Sequence, residues 1–167
     1  METALKEHEF NSRIKENKGI IYKICNSYCA NKDDRDDLAQ EIIYNLWKSF
    51  DKFNAAFKFS TWMYRIALNV AISFYRQEKK FKHHNPISEG LIVFKDDAES
   101  NDEVENNLRL LQEFINKLKE IDKAIILLYL DDKSHREIAE ITGFTETNVA
   151  TKINRIKEKL RTSFLTK

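Results

Sequence analysis

The chain has 167 residues, 42% apolar and 33% charged, with a net charge of +1. That is enough for one medium domain or two small ones, and enough apolar side chain to build a core. Three glycines and one proline are too few for the many tight turns of a strand-rich fold. No run of about eighteen apolar residues exists to span a bilayer, and the charged start, Met1 to Glu9, lacks the apolar stretch of a signal peptide. The expectation is an all-α protein of the cytoplasm with no membrane insertion. The near-neutral total hides a pattern. Residues 1–82 carry net +4, residues 83–105 net −6 and residues 106–167 net +3.

The first helix is expected over residues 4–29, with Lys18-Gly19 as the place where it would break. Phe10 and Ile14 pair at four-residue spacing; Ile21, Ile24, Cys25 and Tyr28 form a second apolar stripe. The two cysteines are too few for a zinc site, and the spacing brings neither His83 nor His84 to them, so they read as buried free thiols.

Asn31-Lys32-Asp33 forms a turn, and Asp34 to Phe50 a second helix whose opening acids suit the positive end of the helix dipole. Leu38, Ile42, Ile43, Leu46, Trp47 and Phe50 give it a broad apolar face. Asp34, Asp37, Glu41 and Tyr44 share the opposite stripe, with Gln40 beside it. That stripe reads as a solvated acidic face or as a docking surface for a basic partner. A metal-dependent nuclease site from Asp33, Asp34, Asp36, Asp37 and Glu41 is a third reading. It is disfavoured because such sites draw carboxylates from several elements.

Residues 51–59 break the helical period and place Phe53, Phe57 and Phe59 among Lys52 and Lys58. Aromatics with cations on a loop suit an unstacked base, or else plug the core beneath. The third helix, from Phe59 to Lys80, has Ser60 available as a cap. Met63, Ile66, Ala67, Val70 and Phe74 form its expected apolar face. Trp62, Arg65, Asn69, Ser73, Arg76 and Lys80 follow at three- or four-residue steps on another side. Cations meet phosphates, amides and hydroxyls meet base edges, and the ring meets an unpaired base. The competing reading is an ordinary solvated face with Trp62 in the core.

Residues 83–105 hold the single proline and the acids Asp96, Asp97, Glu99, Asp102, Glu103 and Glu105, and read as a linker. Helical order resumes near Asn106 with Leu108, Leu111, Ile115 and Leu118. The very apolar run Ile121 to Leu130 must be the buried helix of a second small domain. Ser134 and Glu137 form a capping box, Gly143 supplies a turn, and Thr145 can cap a last helix reaching about Phe164. Val149, Ile153, Ile156, Leu160 and Phe164 line its buried side; Asn148, Thr151, Lys152, Arg155 and Lys159 cluster elsewhere. By its parts this is a helix-turn-helix with a basic face, suited to a DNA major groove.

The stretches Asp34–Trp47 and Phe59–Arg76 resemble region 2 of bacterial sigma factors. Glu137–Gly143, followed by Val149, Lys152, Ile153, Arg155 and Lys159–Arg161, resembles their region 4. The two-domain layout is similar to the extracytoplasmic-function (ECF) group of the sigma-70 family. Ser73 stands where the family often has an acid, Lys152 where Arg is usual, and Glu120-Ile121 where a proline usually precedes the buried region 4 helix.

The resemblance implies two helical domains joined by a linker: residues 1–82 as region 2, 83–105 as an acidic linker directed towards the RNA exit path, and 106–167 as region 4. It implies docking on the RNA polymerase β′ coiled coil through Asp34, Asp37, Gln40, Glu41 and Tyr44. It assigns Phe53, Lys58, Ser60, Trp62, Arg65, Asn69, Arg76, Lys79 and Lys80 to the opened −10 element. It assigns Arg136, Thr147, Asn148, Thr151, Lys152, Arg155 and Lys159 to the −35 element. Core RNA polymerase, including its β flap, promoter DNA and an anti-sigma factor are the implied partners. No catalytic residue, metal or cofactor is implied. A polymerase-independent helix-turn-helix regulator is the alternative from another class.

Overall fold

The structure, a computed structural model, describes residues 2–84 and 102–165, with side chains over 4–81 and 103–165. Every element among them is helical, and the chain divides into two compact units, Met1–Ile92 and Val93–Lys167. Of the proposed linker, residues 83–105, positions 85–101 lie outside the described residues. Its flanks are helical: the third helix runs to His84, and the next begins at Asp102, with Asp102, Glu103 and Glu105 in its opening turns. Acids there are favoured by the free N–H groups of a helix start, which is why they join the helix.

The first unit packs α1 (Glu2–Tyr28), α2 (Lys32–Ser49) and α3 (Phe59–His84) pairwise, with a 3-10 turn over Phe50–Lys52. Helix α1 is continuous through Gly19, as the unbroken form of the expected helix. A glycine costs a helix about 1 kcal/mol relative to alanine. Buried Phe10 on one side of Gly19, and Ile20, Ile21, Ile24, Cys25, Tyr28 and Cys29 on the other, outweigh that. Asn31 caps α2 by accepting the Asp34 amide at 2.8 Å.

The buried seam of α3 differs from the expected face. Met63, Tyr64, Ala67, Leu68, Ala71 and Ile72 are buried, whereas Ile66, Val70 and Phe74 are half-buried. The helix carries two adjacent apolar stripes, and α1 and α2 together cover the one centred on Ala67 and Ala71. Small residues there allow close helix approach. Ser60 does not cap α3: the Lys58 carbonyl accepts the Trp62 amide at 3.3 Å, so the capping position is Lys58.

The second unit comprises α4 (Asp102–Lys117), α5 (Glu120–Leu130), α6 (His135–Thr142) and α7 (Glu146–Leu165). Ala124, Ile125, Ile126 and Leu128 of α5 form the core with Ile138, Ile141, Val149, Ile153 and Ile156. Leu160 is half-buried and Phe164 is 39% exposed, because α7 outruns α5 and α6 in its last turns. Asp132 adopts φ 55° at the turn after α5, a conformation that Asp tolerates better than most residues.

Candidate nucleic-acid interface

Three surfaces are built on this frame. The first is the solvent side of α2. Asp37, Gln40, Glu41 and Tyr44 are exposed along it, and Tyr44 is 62% accessible. Ile43, expected in the core, is exposed beside them instead, because the buried seam is the narrower Leu38–Ile42–Leu46–Phe50 line. Asp34 is half-buried, and its carboxylate accepts from the Asn31 side-chain amide. Its charge is thus committed to the helix start. The carboxylates of Asp33, Asp34, Asp36, Asp37 and Glu41 do not converge: among the described residues, no three His, Cys, Asp or Glu side chains are placed to hold a metal ion.

Behind this helix Arg35 donates to Asn26 Oδ1 at 3.0 Å. Burial of Cys25, assisted by the Asp36 carboxylate and opposed by Arg35, pushes its thiol from 9.0 up to about 11. Cys25 and Cys29 are both buried and neither is in a disulfide, as inert thiols are.

The second surface is the foot of α3. Phe53, Phe59 and Trp62 meet pairwise with ring centroids 5.2–5.3 Å apart, and Phe50 stacks on Phe53 at 6.3 Å with planes 7° apart. Phe59 is buried; Phe53, Ser60 and Trp62 are half-buried. Phe10 of α1 closes the cluster from below, 5.2 Å from Phe50 and 5.1 Å from Trp47, both edge-on. Over this floor the loop turns on Asn54, whose side-chain oxygen accepts the Ala56 amide at 2.9 Å and whose carbonyl accepts the Phe57 amide at 3.0 Å. The turn leaves Phe57 68% exposed next to exposed Lys58. Arg65, Asn69, Ser73, Arg76 and Lys80 are all exposed up one side of α3, with Lys79 near them, its ammonium 5.6 Å from the Tyr75 ring centre. One helix therefore carries a cationic stripe that begins at an aromatic floor. A strand with unstacked bases needs that pairing of features.

The third surface is α6, its turn and α7. Ser134 and Glu137 cap each other, Gly143 closes α6 at φ 79°, and the Thr145 hydroxyl accepts the Asn148 amide at 3.1 Å. These local bonds fix the angle at which α7 leaves the turn. Thr147, Asn148, Thr151, Arg155 and Lys159 are exposed on α7, and Arg136 is exposed on α6, 3.4 Å from Glu140. Lys152 departs from this group. It is half-buried, donates to Asp122 Oδ1 of α5 at 3.1 Å, and lies 5.5 Å from the Phe144 ring. A part-buried ion pair holds it against the body of the unit rather than out with Arg155.

The matches to known proteins agree with this layout. Residues 13–81 match the family model for sigma-70 region 2, and residues 108–160 match that for sigma-70 region 4. The ECF RNA polymerase sigma factor SigW of Bacillus subtilis is 32% identical, over 86% of this chain and 82% of its own. The chain belongs to the ECF group of the sigma-70 family. It is a sigma factor, a subunit through which RNA polymerase initiates transcription at promoter DNA, and no helix among its described residues is long and apolar enough to cross a membrane.

SigV, another sigma factor of B. subtilis, is 30% identical over 89% of this chain and 86% of its own. Two solved structures share the fold at 20% identity. RpoE of Bartonella quintana, solved with the anti-sigma factor NepR, gives a TM-score of 0.73 over 93% of this chain and 96% of that one. CnrH, solved with the cytosolic domain of CnrY, gives 0.68 over 96% and 90%. A free-standing helix-turn-helix regulator leaves the region 2 match unexplained. Sequence reasoning missed the part that α1 and Asp122 play in these surfaces. The α1 signal was present as Lys6, Phe10 and Arg13 at helical spacing, while the link from Asp122 to Lys152 spans thirty positions with no local mark.

Proposed function

We propose a division of labour for this sigma factor in which the first unit grips a separated DNA strand while docked on polymerase, and the second reads intact duplex. The observation that carries it is the aromatic floor at the start of the α3 cationic stripe, which the second unit's basic helix lacks. Duplex is read by polar side chains entering a groove; a flipped base must regain the few kcal/mol of its lost stacking from a pocket. On this reading Asp37, Gln40, Glu41 and Tyr44, with exposed Ile43 on their flank, dock on the β′ coiled coil. Asp34 serves chiefly the start of that helix, where it bonds the cap residue Asn31.

Phe53, Phe57, Lys58, Ser60 and Trp62 hold the opened −10 element, and Arg65, Asn69, Arg76, Lys79 and Lys80 follow its backbone. Arg136, Thr147, Asn148, Thr151, Arg155 and Lys159 meet the −35 element, while the second unit also contacts the β flap. The factor has no catalytic activity of its own, works in the cytoplasm, and is held inactive by an anti-sigma factor, a reading supported by the complex of RpoE with the anti-sigma factor NepR. Weak free affinity for DNA fits the near-neutral charge, since polymerase joins both units to one promoter and linked sites gain from effective concentration.

The test is transcription in vitro. Core polymerase with this chain should initiate at discrete genomic sites. Asp37→Lys with Glu41→Lys should reduce core capture roughly a hundredfold, as like-charge contacts at a docking face cost several kcal/mol. Absence of initiation at any site would remove the proposal.

A further inference from the structure

Helix α1 looks like scaffold, but one of its stripes meets the strand-gripping apparatus at three points. Lys6, Phe10 and Arg13 stand at four- and three-residue steps and so share a face. Lys6 pairs with Asp51 at 2.6 Å and lies 4.7 Å from the Trp47 ring centre. Phe10 is buried edge-on against Phe50 and Trp47. The Arg13 guanidinium lies 5.3 Å from the Phe53 ring centre and 5.5 Å from that of Phe59, and its Nε and Nη2 donate to Glu9 at 3.0 and 2.9 Å.

Phe53 and Phe59 are the two posts of the loop over residues 54–58. A guanidinium is planar, and it can lie against two rings at once where an ammonium makes a point contact. Glu9, one turn earlier on α1, accepts from two of its nitrogens, so the plane is held rather than free to swing. Only about a third of the Arg13 side chain is exposed, and such partial burial strengthens a cation–ring contact. The loop's own bonds at Asn54 set its turn but not its height over the helix bundle. That height depends on where Phe53 and Phe59 are held.

We propose that Arg13 is a positioning residue for capture of the unpaired −10 strand: by clamping Phe53 and Phe59 it sets the loop that presents Phe57 and Lys58 to the opened DNA. The proposal rests on the strand-gripping reading above. Arg13 itself meets no base in this account; its effect passes through the two rings.

The experiment uses the reconstituted holoenzyme and three probes: core polymerase alone, a duplex carrying only the −35 element, and a fork with single-stranded −10 non-template DNA. Arg13→Ala should weaken fork binding roughly five- to thirtyfold, the factor expected for two cation–ring contacts. Core capture and duplex binding should stay within about twofold of wild type. Arg13→Lys, which keeps the charge and one contact, should recover part of the fork affinity and guards against a folding defect in the alanine variant. Wild-type fork affinity in both variants overturns the proposal, as does an equal loss of core capture and fork binding, which would mark the contact as merely holding α1 to the bundle. Failure of the wild-type holoenzyme to bind the fork would instead count against the strand-gripping reading itself.

Discussion

Helices α3 and α7 are both basic along one side, yet they are finished differently. At the start of α3 four rings, Phe50, Phe53, Phe59 and Trp62, lie in contact, and a fifth, Phe57, stands out into solvent. At the start of α7 there is a hydroxyl cap, Thr145, and small polar residues, Thr147, Asn148 and Thr151. A base out of its stack offers a face and asks for rings. A base pair in a duplex offers edges and asks for donors and acceptors on a helix slim enough to enter a groove. The difference lies in what surrounds the cations, since the charge on the two helices is of the same kind.

The sharpest way to break this contrast is Trp62→Ala. Removing that ring should lower binding of a single-stranded −10 fork by the holoenzyme roughly ten- to hundredfold, given about 1–3 kcal/mol per stacked base. Binding of −35 duplex by the same holoenzyme should be unchanged. The mirror variant, Arg155→Ala, should cost about tenfold on the −35 duplex, as expected for loss of one good groove contact, and leave fork binding of a −10 strand lacking the −35 element intact.

A finer effect concerns Lys152. Asp122 holds it at 3.1 Å with both side chains partly buried, so on the proposed reading its charge is spent within the unit rather than on DNA. Asp122→Asn should release it. Affinity for −35 duplex should then rise roughly two- to fivefold at low salt, and the slope of log affinity against log salt should steepen by about 0.9, the value for one added phosphate contact. An unchanged slope would show that Lys152 stays against α5 for other reasons. The smallest effect lies away from both helices. The Cys25 thiol is held protonated, raised from 9.0 to about 11, chiefly by burial. Its contribution to stability is complete below the ordinary thiol value and is lost as pH rises from about 9 towards 11, because the unfolded chain releases that proton first. Melting temperatures measured across that range should fall less steeply for Cys25→Ala than for the parent, relative to each protein's value at pH 8.

Much of this was legible in the chain before any coordinates. The α6–turn–α7 unit is written in local chemistry: Ser134 and Glu137 bond each other, Gly143 takes a left-handed φ, and Thr145 caps Asn148. Such features involve neighbours in sequence, so spacing alone exposes them. The cationic stripe of α3 was legible for the same reason. Three features were not. The seam of α3 runs through Leu68, Ala71 and Ile72 because α1 and α2 arrive on that side, and periodicity cannot say which of two adjacent apolar stripes a partner covers. Ile43 is exposed because the face of α2 is narrower than its apolar content. The hold of Asp122 on Lys152 and of Arg13 on Phe53 and Phe59 joins residues thirty to forty-six positions apart, where pattern carries no information. The resemblance to region 2 and region 4 named the surfaces; the structure added what supports them.

The most direct test of the division between strand and duplex crosses the two helices with the two DNA forms. Holoenzymes carrying wild-type chain, Trp62→Ala or Arg155→Ala would be titrated with a −10 single-strand probe and with a −35 duplex probe. The account predicts that Trp62→Ala loses the strand and keeps the duplex, and that Arg155→Ala does the reverse. Loss of the same probe by both variants would contradict it.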